Sequence, residues 1–591
     1  MKKLLSLALA LCLLWSLAGC VGPGSTDTTG GETTGAPEGM LVIADGGVSK
    51  FTIVNLLEKS GAVKEFASDL AVKTKAAIPV VNKVKTGAPA IYVGTTAEIN
   101  ERFGFSRPAS YTGYQIRVSE GSVYVSVDQE MLAEEVLAEL KNLITKTADG
   151  QYGISKELNM EKNISQADED IPVFQSKSAH LDNIHDSGLG FYQVSYTHLD
   201  YEQGPVDLAN YEKALLDAGY TLHSENMIDR NRFVNYVKGN TMIHINFFEP
   251  LQELRIIYGP RGFLPEAAPV TGYETLVTPS ISIIGMTESV LCMVYQAADG
   301  SFFVIDGGWD SNKTTTLTIN KGTAEEYTYT YTRDASADME ALYSFLAENT
   351  PGGGKPQVTW MITHADPDHI GLPTRFIKEY KDRFDLNAVV YNFPNMYNIG
   401  LGESGSSTND PLTFTAYCNG FIKSVRDNFP NANHYIYHTG DVLPFAGGEV
   451  EFLFTHEDFW PNKMPWANHT SGVWRFKAEG RTIMVTGDAE KGLCTRIART
   501  FQYGLKSDIL QCNHHGSNGA TLPFYKLIDP TVCFWACRQE SFERDLRHRG
   551  IDPRFDFNAF LRNSDKVTGH YHNGWTTTVL LPSLEAKGRS E

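Results

Sequence analysis

The chain has 591 residues, of which 42% are hydrophobic and 20% are charged. This length exceeds what one hydrophobic core can organise, so about three domains are expected. The formal net charge of −19 argues against a broad basic surface that grips nucleic acid, although it does not exclude a small basic pocket. Six cysteines follow residue 290 without a Cys-x-x-Cys pair, which indicates buried thiols rather than a zinc knuckle or a disulfide framework.

Residues 1–20 have the pattern of a secretory signal, because two lysines precede a short apolar run. The ending Leu17-Ala-Gly-Cys20 resembles a bacterial lipobox, which implies a lipid on Cys20. The alternative is an ordinary signal peptide with an incidental cysteine. Residues 21–39 are rich in Gly, Ser, Thr and Pro and predict a flexible linker. We therefore expect a lipid anchor in the cell membrane, with the folded domains on the extracellular or periplasmic side.

Residues 40–165 predict a small α/β domain. Runs at 40–44 and 90–94 favour strands, whereas 51–70 and 129–145 have helical spacing. The stretch 89–98 and the strand patterns after it resemble the small non-catalytic α/β domain that precedes some glycoside hydrolase barrels. No catalytic constellation lies in this segment, so we interpret it as a spacer or a binding module.

Residues 170–266 predict a small α+β domain in which one helix packs on an antiparallel sheet. The helix is expected at 207–219, with a glycine at its end. The strands are expected at 190–196, 233–237, 242–248 and 254–258. The histidines of this segment lack ligand spacing and are interpreted as surface or sheet residues: His180, His185, His198 and His244.

The motif His364-Ala-Asp-Pro-Asp-His369 lies between a predicted buried strand, 358–363, and a predicted helix, 370–380. His364 and Asp366 are two residues apart and point the same way on an extended backbone. Asp368 and His369 follow where the chain bends. A lone histidine at a strand end is usually structural, but four nitrogen or oxygen ligands within six residues favour a metal site.

Three further acidic or imidazole groups follow predicted strands in the same way. Asp488 comes directly after the strand 481–485, and His514 and His515 come after the strand 508–512. We therefore expect these side chains at one sheet edge, with Asp488 able to bridge two cations. Asp306, which precedes two glycines at another strand end, is either a turn former or a group that orients metal ligands.

The segments Asp306-Gly-Gly308, 364–371, 485–490 and 514–517 together resemble, in order and spacing, the metallo-β-lactamase superfamily. Within it they are most similar to the hydrolase domain of the competence protein ComEC and its free-standing relatives. The resemblance covers about 275–585 and implies that 275–591 is a four-layer αβ/βα sandwich, preceded by the two small domains. It also implies two divalent ions, Zn²⁺ foremost with Mn²⁺ as an alternative. The expected metal ligands are His364, Asp366, Asp368, His369, Asp488, His514 and His515, with Asp368 and Asp488 also catalytic.

Two departures from the family pattern leave questions open. The commoner pattern has histidine where this chain has Asp366, although acidic residues occur there in the ComEC-like branch. The usual third histidine has no clean counterpart, so His469, in the turn at 466–473, is either a ligand or only a neighbour, and His456 is a weaker candidate. His514 and His515 are not distinguished, with a slight preference for His515 beside a glycine.

These motifs predict a surface-anchored, metal-dependent hydrolase that cleaves phosphodiesters through a metal-bound hydroxide. The substrate is expected to be small or polymer-linked, and whether it includes nucleic acid is left open. One alternative keeps the metal site but cleaves another bond, such as a phosphorylcholine ester, a lactone or a β-lactam. The other is a non-catalytic lipoprotein that binds an envelope component.

Overall fold

The computed structural model shows a mixed α/β protein with several sheets. The residues it describes are 39–58, 60–83, 88–107, 113–128, 130–163, 171–262, 268–319, 327–395, 411–459, 464, 467–517, 519–539, 541–542 and 557–587. The predicted signal peptide, Cys20 and all but the last residue of the predicted linker lie outside these residues. Among the described residues, no helix has the length and apolar character needed to cross a membrane.

The first region, up to residue 163, contains a six-stranded sheet in the order β10-β6-β7-β5-β3-β4 and a smaller one in the order β2-β1-β9-β8. Helices α1 and α3 pack on one face of the larger sheet through buried side chains such as Leu70 and Val136. The elements are β1 (Met40–Asp45), β2 (Val48–Ser49), β3 (Thr52–Asn55), α1 (Gly61–Thr74), β4 (Val80–Val81), β5 (Ala90–Thr95), α2 (Thr96–Phe103), β6 (Gly113–Ser119), β7 (Ser122–Val127), α3 (Ala133–Leu143), β8 (Thr145–Lys146), β9 (Tyr152–Ser155) and β10 (Asn159–Asn163).

The predicted helix at 51–70 is wrong in its first half, because β3 occupies that stretch and pairs with β5 in parallel. Short apolar runs do not separate helix from strand by periodicity alone. Here the β-branched residues Ile53 and Val54 favour the strand.

The second region is one six-stranded antiparallel sheet in the order β11-β12-β16-β15-β14-β13, with helix α4 on its apolar face. The predicted helix and four strands are present, and the edge strands β11 and β13 were not predicted. The opposite face carries buried polar side chains, including Gln193, His244 and Arg255, which meet the third region. The elements are β11 (His180–Gly188), β12 (Phe191–Thr197), α4 (Gln203–Asp217), β13 (Thr221–Ile228), β14 (Asn231–Lys238), β15 (Thr241–Phe248) and β16 (Glu253–Pro260).

The third region contains two large sheets, an eight-stranded one and a seven-stranded one, and a separate hairpin, β20-β21. Its first elements are β17 (Ser280–Ile283), β18 (Cys292–Gln296), β19 (Phe302–Asp306), β20 (Lys313–Ile319), β21 (Tyr327–Arg333), α5 (Ala335–Glu348), β22 (Gln357–Met361), α6 (Pro367–Glu379), β23 (Asp385–Tyr391), α7 (Pro411–Asn428) and β24 (Asn433–Ile436). The later ones are β25 (Val442–Phe445), β26 (Gly448–Phe454), β27 (Val473–Ala478), β28 (Arg481–Val485), α8 (Lys491–Phe501), β29 (Ile509–Gln511), α9 (Leu522–Ile528), β30 (Val532–Trp535), α10 (Asn558–Arg562), β31 (Gly569–His572), β32 (Thr577–Leu580) and β33 (Ala586–Lys587).

The strand orders are β24-β23-β22-β19-β18-β17-β32-β33 and β25-β26-β27-β28-β29-β30-β31. One buried cluster contains side chains of both sheets, such as Ile305 and Phe476. A second cluster joins the eight-stranded sheet to α5, α6 and α7, and a third joins the seven-stranded sheet to α8, α9 and α10.

The strand directions explain where the polar motifs meet. β19, β22 and β23 are parallel neighbours in one sheet, and β28, β29 and β30 are parallel neighbours in the other. The carboxyl ends of parallel strands lie at the same edge of a sheet, where loops commonly build binding sites. Asp306, the 363–369 segment, Asp488 and His515 all follow such ends.

A candidate metal centre

Two overlapping groups of side chains have the proximity that a metal ion requires. Ligand atoms of His364, His369 and Asp488 lie within 4.8 Å of one another, and so do ligand atoms of Asp368, His369 and His515. His369 belongs to both groups, so they form one continuous cluster. Asp366 lies beside it, with Oδ2 3.7 Å from His364 Nε2.

The turn that carries the first motif is shaped by a proline. Helix α6 begins at Pro367, so Asp368 and His369 lie in its first turn rather than in an irregular bend, three residues earlier than the predicted helix start. A proline at the first helical position keeps Asp366 extended, with φ −71° and ψ 146°. The chain therefore turns sharply between His364 and Asp368, and both face the cluster.

Asp306 orients two of the imidazoles. His369 Nδ1 donates to Asp306 Oδ2 at 2.7 Å. Thr363 Oγ1 donates to the same oxygen at 2.6 Å and lies 3.0 Å from His364 Nδ1, from which it accepts. Both Nδ1 atoms thus carry a proton, and both Nε2 atoms face the cluster, which is the orientation of metal-binding histidines. This is the orienting role that the sequence offered as one reading of Asp306.

His515 is oriented in the same way from the other sheet. Its Nδ1 donates to the carbonyl oxygen of Ala536 at 3.0 Å, which turns Nε2 towards the cluster. Nε2 lies 3.3 Å from Asp368 Oδ2 and 3.3 Å from Asp488 Oδ2. His514 and His515 both adopt positive φ, 49° and 54°, so consecutive side chains diverge. His514 stays about one-third exposed, with Nε2 3.8 Å from Asp488 Oδ2, outside both groups.

Several buried atoms that point into the cluster make no hydrogen bond within the described part of the chain: His364 Nε2, His369 Nε2, His515 Nε2, Asp366 Oδ1 and Asp488 Oδ1. A buried polar atom without a partner costs about 1–3 kcal/mol. Five of them converging on one place fit a bound cation. Imidazole nitrogens and carboxylate oxygens without a thiolate fit Zn²⁺ or Mn²⁺.

The electrostatics of the cluster also favour positive charge. Burial lowers the pKa of His515, but Asp488 and Asp368 outweigh it and raise the pKa to about 10. Burial likewise opposes charge on His369, yet Asp488 and Asp306 hold its pKa well above the ordinary value. Burial alone would raise the pKa of Asp368, but His369 and His515 lower it to about 2. The carboxylates therefore stay ionised and attract either protons on the imidazoles or metal ions.

The turn that carries His469 touches the cluster through its neighbours. Asn468 Nδ2 lies 3.4 Å from His514 Nε2, and Ser471 Oγ accepts the backbone N–H of Asp488 at 3.2 Å. His469 itself is buried with its ring 4.9 Å from that of Phe459, outside both groups of potential ligands. The prediction that His469 is a metal ligand therefore receives no support from this geometry.

His456, the remaining candidate ligand, lies outside the cluster. His456 Nε2 bonds to Asn392 Oδ1 at 3.1 Å, and burial lowers the pKa of His456 to about 4. It belongs to the polar interface with the second region rather than to the cluster. The sequence did not single out Thr363, Asn468 or Ser471, because their roles depend on segments that only the fold brings together.

No known protein family model matches this chain, and no curated protein matches it either.

Proposed function

We propose that this protein is a metal-dependent hydrolase of the metallo-β-lactamase superfamily, most similar to its ComEC-like branch, and that it cleaves phosphodiesters. The observation that carries the proposal is the convergence, at one edge of two sheets, of buried imidazole and carboxylate atoms that make no hydrogen bond. The Nδ1 atoms of the three imidazoles are already held by hydrogen bonds to Asp306, Thr363 and the Ala536 carbonyl. Such preorganised ligands are typical of a metal centre rather than of a structural polar cluster.

The architecture supports the same superfamily. The two large sheets share one core cluster, and helices join each sheet through a separate cluster. We infer from this a four-layer αβ/βα sandwich over 275–591, with the two small domains before it.

Two ions would be held here, and Asp488 lies where it could serve both. His364 and Asp366 would hold one ion, and Asp368, His369 and His515 would hold the other. A bound divalent ion lowers the pKa of water to about 7 and so supplies a nucleophile at neutral pH. Asp368 and Asp488, as ligands that touch the reacting atoms, are the proposed catalytic carboxylates. Asn468 and His514, at the rim, are placed to contact a substrate oxygen.

The substrate class follows from charge and from the proposed anchor. A net charge of −19 does not favour long nucleic acids, whose phosphates need a basic surface. We therefore propose small or polymer-linked phosphodiesters in the cell envelope, reached from a lipid anchor on Cys20.

The test uses Asp488→Ala. The wild-type chain is expected to bind about two Zn²⁺ or Mn²⁺ ions at this centre and to hydrolyse bis(p-nitrophenyl) phosphate. Asp488→Ala is expected to lower kcat at least about 100-fold, because it removes the carboxylate that would serve both ions. Asp427→Ala, an exposed carboxylate on α7 paired with Lys423, is the matched control and should keep full activity.

A well-folded wild-type chain that binds no metal at this centre would contradict the proposal. The protein could instead hydrolyse a lactone, a β-lactam such as nitrocefin, or a phosphorylcholine ester and show no phosphodiesterase activity. That result would support the metal centre but contradict phosphodiesters as the substrate class. Bound metal without turnover of any ester would favour the binding lipoprotein.

A further inference from the structure

The interface between the second and third regions contains a second pair of close histidines. Gln193, Ile257, His244 and Asn235 lie opposite one another across strands β12, β16, β15 and β14, so their side chains share one face of the sheet. That face meets the segment between β24 and β25, where His438 and Asp441 lie. His244 is 1% exposed and His438 is 0% exposed, so the contact is fully buried.

Each of these histidines forms a hydrogen bond from its Nδ1 atom to a carboxylate. His244 Nδ1 donates to Asp441 Oδ1 at 3.3 Å, and His438 Nδ1 donates to Glu457 Oε2 at 2.8 Å. Asp441 is itself fixed by Asn235 Nδ2 at 2.7 Å and by the His438 backbone N–H at 2.8 Å. A metal-binding imidazole commonly donates its other ring N–H to a carboxylate in this way.

The Nε2 atoms of both histidines make no hydrogen bond in the described structure. His244 Nε2 and His438 Nε2 are both buried, and neither makes a hydrogen bond to any described residue. The centroids of the two rings lie 4.1 Å apart, with an interplanar angle of 48°. The His364 and His369 rings of the candidate metal centre have nearly the same relation, 4.1 Å and 49°. The interface thus repeats, across two regions of the chain, the local geometry of the first site.

The buried charges of the interface leave room for a cation. Three buried carboxylates lie in this interface, and Asp458 is paired with Arg255. Arg496 is paired with Glu253. Asp441 and Glu457 therefore have only the two imidazoles as positive partners in the described structure.

We propose that one divalent cation is bound at this interface by His244 Nε2 and His438 Nε2 and fastens the second region to the third. Two imidazoles select a borderline ion such as Zn²⁺. Water completes the shell of the ion. His438 follows β24, two strands away from the β22 end that carries His364, so about 10 Å separates the two strand ends. The interface ion is therefore additional to the proposed catalytic pair.

The test counts zinc in the full chain, purified in detergent, loaded with Zn²⁺ and desalted on a metal-free column. We expect about three ions for the wild type, about two for H244Q/H438Q and about one for D488A/H515A. H180Q/H198Q replaces two exposed histidines of the second region and is the matched control, with the wild-type content expected. In a thermal denaturation experiment, Zn²⁺ should raise the Tm of D488A/H515A by several degrees. It should leave the Tm of H244Q/H438Q/D488A/H515A, which combines both double substitutions, unchanged.

The outcomes separate this proposal from the proposed function. If the catalytic pair is absent but the interface ion is present, the wild type binds about one ion, and H244Q/H438Q abolishes it. If H244Q/H438Q keeps the wild-type zinc content, the interface proposal is overturned and the imidazoles are balanced by protons or water. If H244Q/H438Q does not fold, the D488A/H515A protein decides: no bound zinc and no zinc-dependent rise in Tm overturn the proposal.

Discussion

Asp306 shows how one side chain can set the chemistry of several others. It is fully buried, has a positive φ of 53°, and accepts from His369 Nδ1, Thr363 Oγ1 and the Thr363 backbone N–H. Through Thr363 it also fixes His364. The orientation of two imidazoles, His364 in the loop after β22 and His369 on α6, therefore depends on one carboxylate.

Asp306→Asn tests this dependence with little change of shape, because asparagine tolerates positive φ. An amide offers only one acceptor oxygen and no charge, so zinc affinity should fall about 10–100-fold. Competition with a chromophoric chelator measures it, and circular dichroism checks the fold. Asp385→Asn, at the exposed start of β23, serves as the control. Unchanged zinc affinity in Asp306→Asn would contradict the orienting role.

Metal binding at the candidate centre should release protons. The pKa of His515 is about 10, so this imidazole is protonated at about pH 8 in metal-free protein, and the pKa of His369 is raised as well. His515 must lose a proton to bind a metal, so Zn²⁺ added in weak buffer at about pH 8 should release at least about one proton per chain. A pH indicator dye measures the release, and His515→Gln should release about one fewer. Zinc binding without any proton release would show that these imidazoles are neutral or are not ligands.

At the scale of elements, β16 and the segment after β26 are joined by an ion pair that is buried between two regions. Arg255 is 3% exposed, and its guanidinium contacts the Asp458 carboxylate and, at 3.0 Å, the Asp458 carbonyl. Asp458 also accepts from the Thr455 backbone N–H at 2.9 Å and from Thr439 Oγ1. Breaking a buried pair leaves an uncompensated charge, which is the main cost.

Asp458→Asn should therefore lower the free energy of unfolding by about 3–5 kcal/mol. Asp217→Asn breaks an exposed pair with Lys213 on α4 and should cost at most about 1 kcal/mol. Urea denaturation measures both. Equal effects of the two substitutions would show that the Arg255 pair is open to solvent.

At the scale of the molecule, the second and third regions should unfold together, because a polar sheet face is buried between them. All tryptophans except Trp15 lie after residue 300, so tryptophan fluorescence reports on the third region. Hydrogen exchange of β14, β15 and β16 reports on the second region. Both probes should give the same urea midpoint, and Asp458→Asn should separate them. Exchange of these strands at lower urea in the wild type would contradict a common unfolding unit.

Local patterns predicted much of the site. The order of imidazoles and carboxylates, and the apolar strand before each, follow from short stretches of sequence, since side-chain type and strand periodicity are local properties. The expected mixed α/β class is what the structure shows. The strand at 52–55 was missed because a short β-branched run inside an apolar segment has no clear period.

The sequence by itself determined which residues can bind metal, and only the tertiary structure decided which of them meet. His515 rather than His514 enters the cluster because two successive positive φ values turn their rings apart. Asn468 and Ser471 reach the cluster while His469 packs on Phe459, a result of how the turn at 467–470 lies against α8. His244 and His438 are nearly two hundred positions apart and become neighbours only because one sheet docks on another region. Contacts of that kind depend on packing between distant segments, which no local period records.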